Sequence, residues 1–413
     1  MMKKTINFLI ALLIFILLLL YLQQNKLVKK LNAEEELPKI KDIKIIINNG
    51  GRLDWCPNLN MIVFDKKNED GYFDVFISDL NSRPPKCLTC NKEGLPELNN
   101  GNPSCHPSGK FIAFQSQDPY LVPMMPGMTM KEFKKEIKMK KKEDRKFPTE
   151  SFPTEKTELQ KELEKFITGP TMGINNNIWI MDSESKKFWQ ITHIKQNQGT
   201  LNPHFSPDGS KLIWSEIIET QRGKPPIWSI KIANVNIKED KISISNIATL
   251  RPNNMQIYKT HGFSPDNKFI ILSAAQKDKF YNTMAIYKME LKQGKINLIQ
   301  LTNDDSWNDE AKFTPDGNYI IWVSTKGLPQ SAKMNFRSIF GQPPKFDYWI
   351  MNSDGSNKKR LSFFNSPDEL HQFNTNLSSV RDFAFGKNNN EIIASVTLKE
   401  TLKESIILFQ LLF

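Results

Sequence analysis

Hydrophobic and polar positions along this chain recur as a unit. A short apolar stretch runs into a turn that reads, or nearly reads, Ser-Pro-Asp-Gly, and a second apolar run follows. The copies are Asp54-Trp55-Cys56-Pro57-Asn58, Ser104-Cys105-His106-Pro107-Ser108-Gly109, Phe205-Ser206-Pro207-Asp208-Gly209, Phe263-Ser264-Pro265-Asp266-Asn267 and Phe313-Thr314-Pro315-Asp316-Gly317. Asp382-Phe383-Ala384-Phe385-Gly386-Lys387 is a degenerate further copy. Repetition at about fifty residues means a solenoid, a propeller or an array. Pro presets the backbone of such a turn, Asp bonds its own main chain, and Gly or Asn accepts the left-handed position. The runs that follow, such as Phe111-Ile112-Ala113-Phe114 and Tyr319-Ile320-Ile321-Trp322, are β-branched and aromatic and read as strands.

A third apolar segment trails each turn, as in Val75-Phe76-Ile77-Ser78, Ile178-Trp179-Ile180-Met181 and Tyr348-Trp349-Ile350-Met351. Most units then close on a Leu-Thr-like strand: Cys87-Leu88-Thr89, Gln190-Ile191-Thr192, Gln300-Leu301-Thr302, Arg360-Leu361-Ser362. Four antiparallel strands per unit make a propeller blade. These motifs resemble the TolB-like (WD40-like, PD40) β-propeller repeat family over roughly Asp42 to Phe413. The resemblance implies an all-β propeller and leaves function open, because propellers host binding proteins and enzymes alike.

The repeats predict six four-stranded blades. The double spacing from Pro107 to Pro207 contains no turn motif, so it is read as an insertion and not as a further blade. Ile406-Ile407-Leu408-Phe409 matches a third strand and lacks a fourth, while Ile43-Lys44-Ile45-Ile46-Ile47 has no partner of its own. Pairing the two closes the ring and removes an exposed edge.

The expected organisation is a signal anchor or signal peptide at 1–24, a linker at 25–41 and the propeller at 42–413. Met1-Met2-Lys3-Lys4 and the apolar run Ile6 to Leu22 carry the first assignment. An uncleaved anchor is the favoured reading, with a cleaved signal peptide as the alternative, and either places the propeller on the periplasmic or extracellular side of the cytoplasmic membrane.

At 413 residues and a net charge of +11, about half of the positive excess lies in Lys131 to Lys146, within the insertion at 118–176, where Lys138, Lys140, Lys141, Lys142 and Arg145 cluster. This is read as a solvated helical face or a contact for an anionic partner such as lipid headgroups; no nucleic-acid recognition motif accompanies it. A second insertion helix carries Leu159, Leu163, Phe166 and Ile167 on one side. Shorter insertions are expected at Glu216 to Pro225 and Gly327 to Pro344. Removing Gly127 to Thr168 is expected to leave the propeller folded.

Loops entering the inner strands share one face with loops leaving the second strands, so the insertions rise around one mouth of the channel. Asn100, Asn102, Asn202, His204, His261, Asp309, Glu310, Arg381 and Asp382 line that mouth. Counted back from the motif Phe, His204, His261 and Glu310 stand one, two and three residues away. Strict strand alternation would therefore point them in different directions, and no metal or cofactor is expected. Of the cysteines, Cys87 and Cys90 are spaced for a local disulfide. Cys56 aligns with His106 and Cys105 with Trp55, which argues against a Cys56–Cys105 bridge; a zinc site of Cys87, Cys90, Cys56 and His106 is conceivable by ligand type alone. No Gly-x-Ser-x-Gly, P-loop, Rossmann or His-Glu-x-x-His signature occurs. The expected function is a non-catalytic scaffold binding proteins of the cell envelope, membrane-attached by its N-terminal helix. The alternative is an enzyme, a glycan lyase or hydrolase or a metal-dependent one, acting at the channel mouth.

Overall fold

The computed structural model describes residues 39–80, 84–121, 158–220, 225–276, 283–292, 296–328, 344–365, 377–386, 390–398, 401 and 403–412. Its compact body is Ile40–Leu411. The apolar segment at 6–22 and the basic cluster Lys138, Lys140, Lys141, Lys142 and Arg145 lie outside the described residues. Among the described residues no helix is long and apolar enough to cross a membrane.

The strands form six four-stranded sheets. Blade one is β2 (Leu53–Cys56), β3 (Met61–Lys67), β4 (Phe73–Ser78) and β5 (Lys86–Cys87); blade two is β6 (Asn100–Cys105), β7 (Phe111–Gln117), β8 (Asn176–Asp182) and β9 (Phe188–Gln190). Blade three is β10 (Thr200–Phe205), β11 (Lys211–Glu219), β12 (Ile227–Lys238) and β13 (Lys241–Leu250). Blade four is β14 (Ile257–Phe263), β15 (Phe269–Ala275), β16 (Ala285–Glu290) and β17 (Asn297–Gln300). Blade five is β18 (Asn308–Phe313), β19 (Tyr319–Ser324), β20 (Asp347–Asn352) and β21 (Lys359–Arg360). Blade six takes β22 (Leu377–Phe385), β23 (Glu391–Leu398) and β24 (Glu404–Leu412), and its outer strand is β1 (Lys39–Asn48) from the other end of the chain. The ring closes as the unpaired segments at the two ends of the propeller predict.

Two local devices repeat. In the inner turn, the Ser206 hydroxyl donates to Asp208 Oδ1 at 2.6 Å, and Asp208 accepts the Ser210 N–H at 3.0 Å. Ser264 and Asp266 do the same in blade four, Thr314 and Asp316 in blade five. In blade two His106 Nδ1 takes the hydroxyl's place beside Ser108. Gly109, Gly209 and Gly317 sit at φ 73°, 73° and 74°, where a Cβ would be strained.

The closing Leu-Thr explains itself in the second device. Thr89, Thr192, Thr302 and Ser362 accept the N–H of Val75, Ile178, Ile286 and Tyr348 through their hydroxyls, at 2.8–2.9 Å. The outer strand is thereby finished by a side chain where backbone pairing stops.

Apolar side chains fill the spaces between blades. Phe111, Ala113, Ile178 and Ile180 of blade two pack on Leu212, Trp214 and Ala233 of blade three, and equivalent clusters join blades one and two, three and four, four and five, and six and one. In such a stack the forward face of one blade meets the backward face of the next. Side chains that meet therefore come from opposite faces of equivalent strands, an odd number of residues out of register. That geometry corrects the reading of Cys56 and Cys105. They are bridged, with Cα atoms 5.4 Å apart, and their one-residue offset is what brings them together. The bridge also removes Cys56 from any zinc site with Cys87, Cys90 and His106, and His106 Nε2 lies 3.2 Å from the carbonyl of Gly209. Cys87 and Cys90 are bridged as well, with Cα atoms 5.8 Å apart.

The described limb of the blade-two insertion is helix α1 (Glu158–Ile167). Ile167 is buried whereas Phe166 is exposed. The Thr168 hydroxyl accepts from Asn99 at 2.9 Å, and its carbonyl accepts from Asn176 at 2.7 Å. This end of the insertion belongs to the body, so a removal running through Thr168 takes packed residues with it. In blade three β11 continues to Glu219 and pairs with β12, so the expected interruption there is shorter than the Glu216 to Pro225 of the sequence reading.

Candidate functional site

The inner strands carry a β-bulge at one level: between Gly101 and Ser104, Leu201 and His204, Thr260 and Gly262, Asp309 and Lys312, and Val380 and Phe383. Asn102, Asn202 and Glu310 occupy the left-handed region there, at φ 52°, 52° and 46°. Asn tolerates that conformation better than most residues, whereas Glu does so at some cost. A bulge inserts a residue and resets the alternation. His261 and Glu310, which simple alternation sets apart, consequently meet.

His261 Nε2 lies 2.6 Å from Ser273 Oγ and 3.1 Å from Asp309 Oδ1, and its Nδ1 lies 3.3 Å from Glu310 Oε2. The Ser273 hydroxyl donates to Asp309 Oδ1 at 3.0 Å. Lys259 Nζ reaches Asp309 Oδ2 at 2.8 Å and also bonds Glu310 Oε1. Burial opposes the charge on His261, but the adjacent carboxylates of Asp309 and Glu310 outweigh it and raise its pKa above the ordinary histidine value. Burial would likewise raise Asp309 and Glu310, yet the Lys259 ammonium holds Asp309 below, and Glu310 well below, the usual carboxylate range. His204 is half-buried; burial and the charges of Lys312 and His261 keep it well below 6.5, so it is neutral.

The same level is stitched at the other junctions. Asn102 Nδ2 donates to Asn202 Oδ1 at 2.7 Å, and Asn202 Nδ2 to the Thr260 carbonyl at 3.0 Å. Lys312 pairs with Asp382 Oδ1 at 3.0 Å and bonds the Phe383 carbonyl, while Asp382 Oδ2 accepts the Leu53 N–H at 3.1 Å. Asp54 accepts the Cys105 N–H at 2.9 Å. Asp65, pushed up to about 6 by burial against the pull of Arg52, accepts the Asn102 N–H at 2.8 Å.

Asn202, His204, His261, Asp309, Glu310 and Asp382 thus converge on the centre. Arg381 does not: its guanidinium lies 3.6 Å from Glu404 on β24. Asn100 bonds the carbonyls of Pro96 and Leu98 in its own loop. Sequence reasoning missed Lys259 and Lys312, whose signal was a cation inside a strand covered on both faces, a place that demands a partner.

Ser273, His261 and Glu310 have the spacing of a nucleophile, a base and an orienting acid. Register argues otherwise. Counted from the inner turn, Ser273 occupies the position of Asp65, Gln115 and Ser215 in other blades. Those three accept the N–H groups of Asn102, Asn202 and Thr260 across the next junction, at 2.8, 3.2 and 3.0 Å. Ser273 is fully buried and serves the same clip through Asp309.

The donor set of His261, Asp309 and Glu310, with ligand atoms within 4.8 Å of one another, is of a kind that suits a divalent cation. The Lys259 ammonium already sits against both carboxylates.

Blade by blade, the fold is a six-bladed propeller of four-stranded antiparallel sheets. No family model matches the chain. It is similar to TolB of Acinetobacter baumannii, at 14% identity over 86% of this chain and 64% of that one, with a TM-score of 0.44. A putative TolB of Agrobacterium tumefaciens matches at 11% identity over 88% and 90%, with a TM-score of 0.47. A gluconolactonase of Xanthomonas campestris matches at 9% identity over 91% and 95%, with a TM-score of 0.48.

Proposed function

We propose that the protein is a non-catalytic interaction scaffold of the cell envelope. In this reading its N-terminal segment (1–24) anchors it in the cytoplasmic membrane, the propeller stands on the periplasmic or extracellular side, and the loops around one mouth of the ring receive a protein partner. The supporting observation is the central network. Lys259, Lys312 and His261 are spent on Asp309, Glu310 and Asp382, and the remaining polar groups hold backbone N–H groups across blade junctions. A general base must reach substrate, and a nucleophile must be exposed to it. Among the described residues, Lys259, Lys312, His261, Asp309 and Glu310 are largely buried and committed to one another or to Asp382, which makes a rigid core, whereas the half-buried, neutral His204 is the group the enzyme reading would need. Loops on a rigid core are where binding residues tend to sit.

The second reading, an enzyme acting at the mouth, rests on the His261, Asp309 and Glu310 donor set. Metal analysis of the purified protein separates the two. The scaffold carries no ion that depends on His261, whereas a stoichiometric ion lost in a His261→Ala variant supports the enzyme.

A further inference from the structure

The outer turn of blade one differs chemically from its counterparts. In blades two, four and five the residue two before the closing Thr or Ser clips that residue's carbonyl: Gln190 to Thr192 at 3.0 Å, Gln300 to Thr302 at 2.8 Å, and Arg360 to Ser362 at 3.0 Å. Cys87 stands in that place in blade one and is bonded to Cys90 instead. Since three blades finish the turn with a side-chain hydrogen bond, the turn does not require a covalent link.

A carboxylate sits beside this pair. One ligand atom each from Asp74, Cys87 and Cys90 lies within 4.8 Å of the others. Asp74 is buried and oriented on both oxygens: Thr89 donates to Oδ1 at 2.7 Å and Asn68 to Oδ2 at 3.0 Å. The Cys90 N–H donates to Cys87 Sγ at 3.0 Å, a contact that favours a thiolate. Both cysteines are partly exposed, unlike the buried Cys56–Cys105 bridge. Hydrogen-bonded carboxylates and supported thiolates are how zinc ligands are held. A tetrahedral zinc ion with bonds of about 2.0–2.3 Å sets its ligand atoms about 4 Å apart, so the two Sγ atoms, bonded to each other here, part on reduction to reach that spacing beside Asp74.

We propose that Cys87 and Cys90, once reduced, form with Asp74 a three-ligand site for Zn²⁺, so that the closing turn of blade one is held covalently when oxidised and by metal when reduced. An external dithiol supplies the reduction. Two electrons and two protons pass to the disulfide, and the donor leaves as its own disulfide. Zn²⁺ then displaces the two thiol protons as two Zn–S bonds form, the Asp74 carboxylate binds as the third ligand, and water completes the coordination.

The test uses the full chain, treated with a mild phosphine and titrated with Co²⁺ as a spectroscopic stand-in for Zn²⁺. Alkylation and mass spectrometry identify which cysteines are open. The proposal expects one equivalent of Co²⁺ with sulfur-to-metal charge-transfer absorption, displaced by Zn²⁺ and absent from the oxidised protein. Cys87→Ser removes that absorption. Asp74→Asn keeps the fold, because Asn177 already plays this part towards Thr192 in blade two, yet weakens Co²⁺ binding by about tenfold or more. Absence of the absorption after reduction overturns the proposal. So does Asp74→Asn binding as tightly as the parent, or equal binding by the oxidised protein.

Discussion

Replacing Lys259 by methionine removes the ammonium that sits between Asp309 and Glu310 while keeping most of the side chain's apolar length. The lysine side chain is 15% exposed and its carboxylate partners 10% and 18%, so water recovers little of the lost interaction. Deleting one partner of a buried ion pair costs about 3–5 kcal/mol, because the remaining charge stays uncompensated. The His261 imidazolium still faces both carboxylates, which puts Lys259→Met at the lower end, about 3 kcal/mol. The sign of the pH dependence follows from the pKa directions. In the parent, Asp309 and Glu310 titrate below their ordinary values, so their contribution is present above the unfolded carboxylate range and lost as pH falls through the folded values. In the variant they lose the cation that held them down and burial raises them, so protonation relieves it. Urea unfolding followed by circular dichroism should therefore show a large gap at pH 7 that narrows by pH 5. Adding Glu310→Gln should recover part of it. A loss below about 1 kcal/mol, constant with pH, would show that Lys259 behaves as a solvated surface cation and that the self-neutralised core is wrong.

His261 has a raised pKa in the folded state, so its contribution is complete below about pH 6.5, the ordinary value, and fades as pH rises through the folded value; the stability gap between parent and His261→Gln should shrink from pH 6 to pH 9 in urea melts. The Cys56–Cys105 bridge spans a sequence separation of 49 and the Cys87–Cys90 bridge one of 3; loop-closure entropy assigns them about 4 and about 2 kcal/mol, so paired Cys→Ala variants should rank in that order in urea midpoint. Deleting 127–157 should leave circular dichroism and unfolding unchanged and reduce partner capture, whereas extending the deletion through Thr168 should destabilise the fold, because Ile167 and Thr168 are buried. Charge reversal at Lys140, Lys141 and Lys142 should weaken capture partially, with a salt dependence measurable in pull-downs at low and high ionic strength.

The fold was legible because its signals are local. The Ser-Pro-Asp-Gly turn bonds within a few residues, as Ser206 and Asp208 show, and the closing Thr89 reaches only back to Val75. Blade number and ring closure by β1 follow from such repeats and from the unmatched strand at each end. The centre was legible only as a set of residue types. Which of them touch depends on the inner-strand bulges, which turn His261 and Glu310 towards each other, and on opposite faces meeting at blade junctions, which joins Cys56 to Cys105. Neither is written in the alternation of a single strand. Lys259 and Lys312 could have been found by asking what neutralises a lysine flanked by Tyr258 and Thr260, or by Ala311 and Phe313, all of them buried.

The most direct test of the scaffold reading places a photo-crosslinking amino acid at Tyr120, a 90% exposed side chain where the second strand of blade two leaves the ring, and, in a second protein, at Asn318 in the tight turn of blade five at the ring's other end. Both are expressed at natural level in membranes, irradiated, and their adducts identified by mass spectrometry. The account predicts a discrete protein adduct from Tyr120 and none from Asn318. Equal labelling from both positions, or no adduct from Tyr120 in a protein that carries a stoichiometric metal ion lost in His261→Ala, would contradict it.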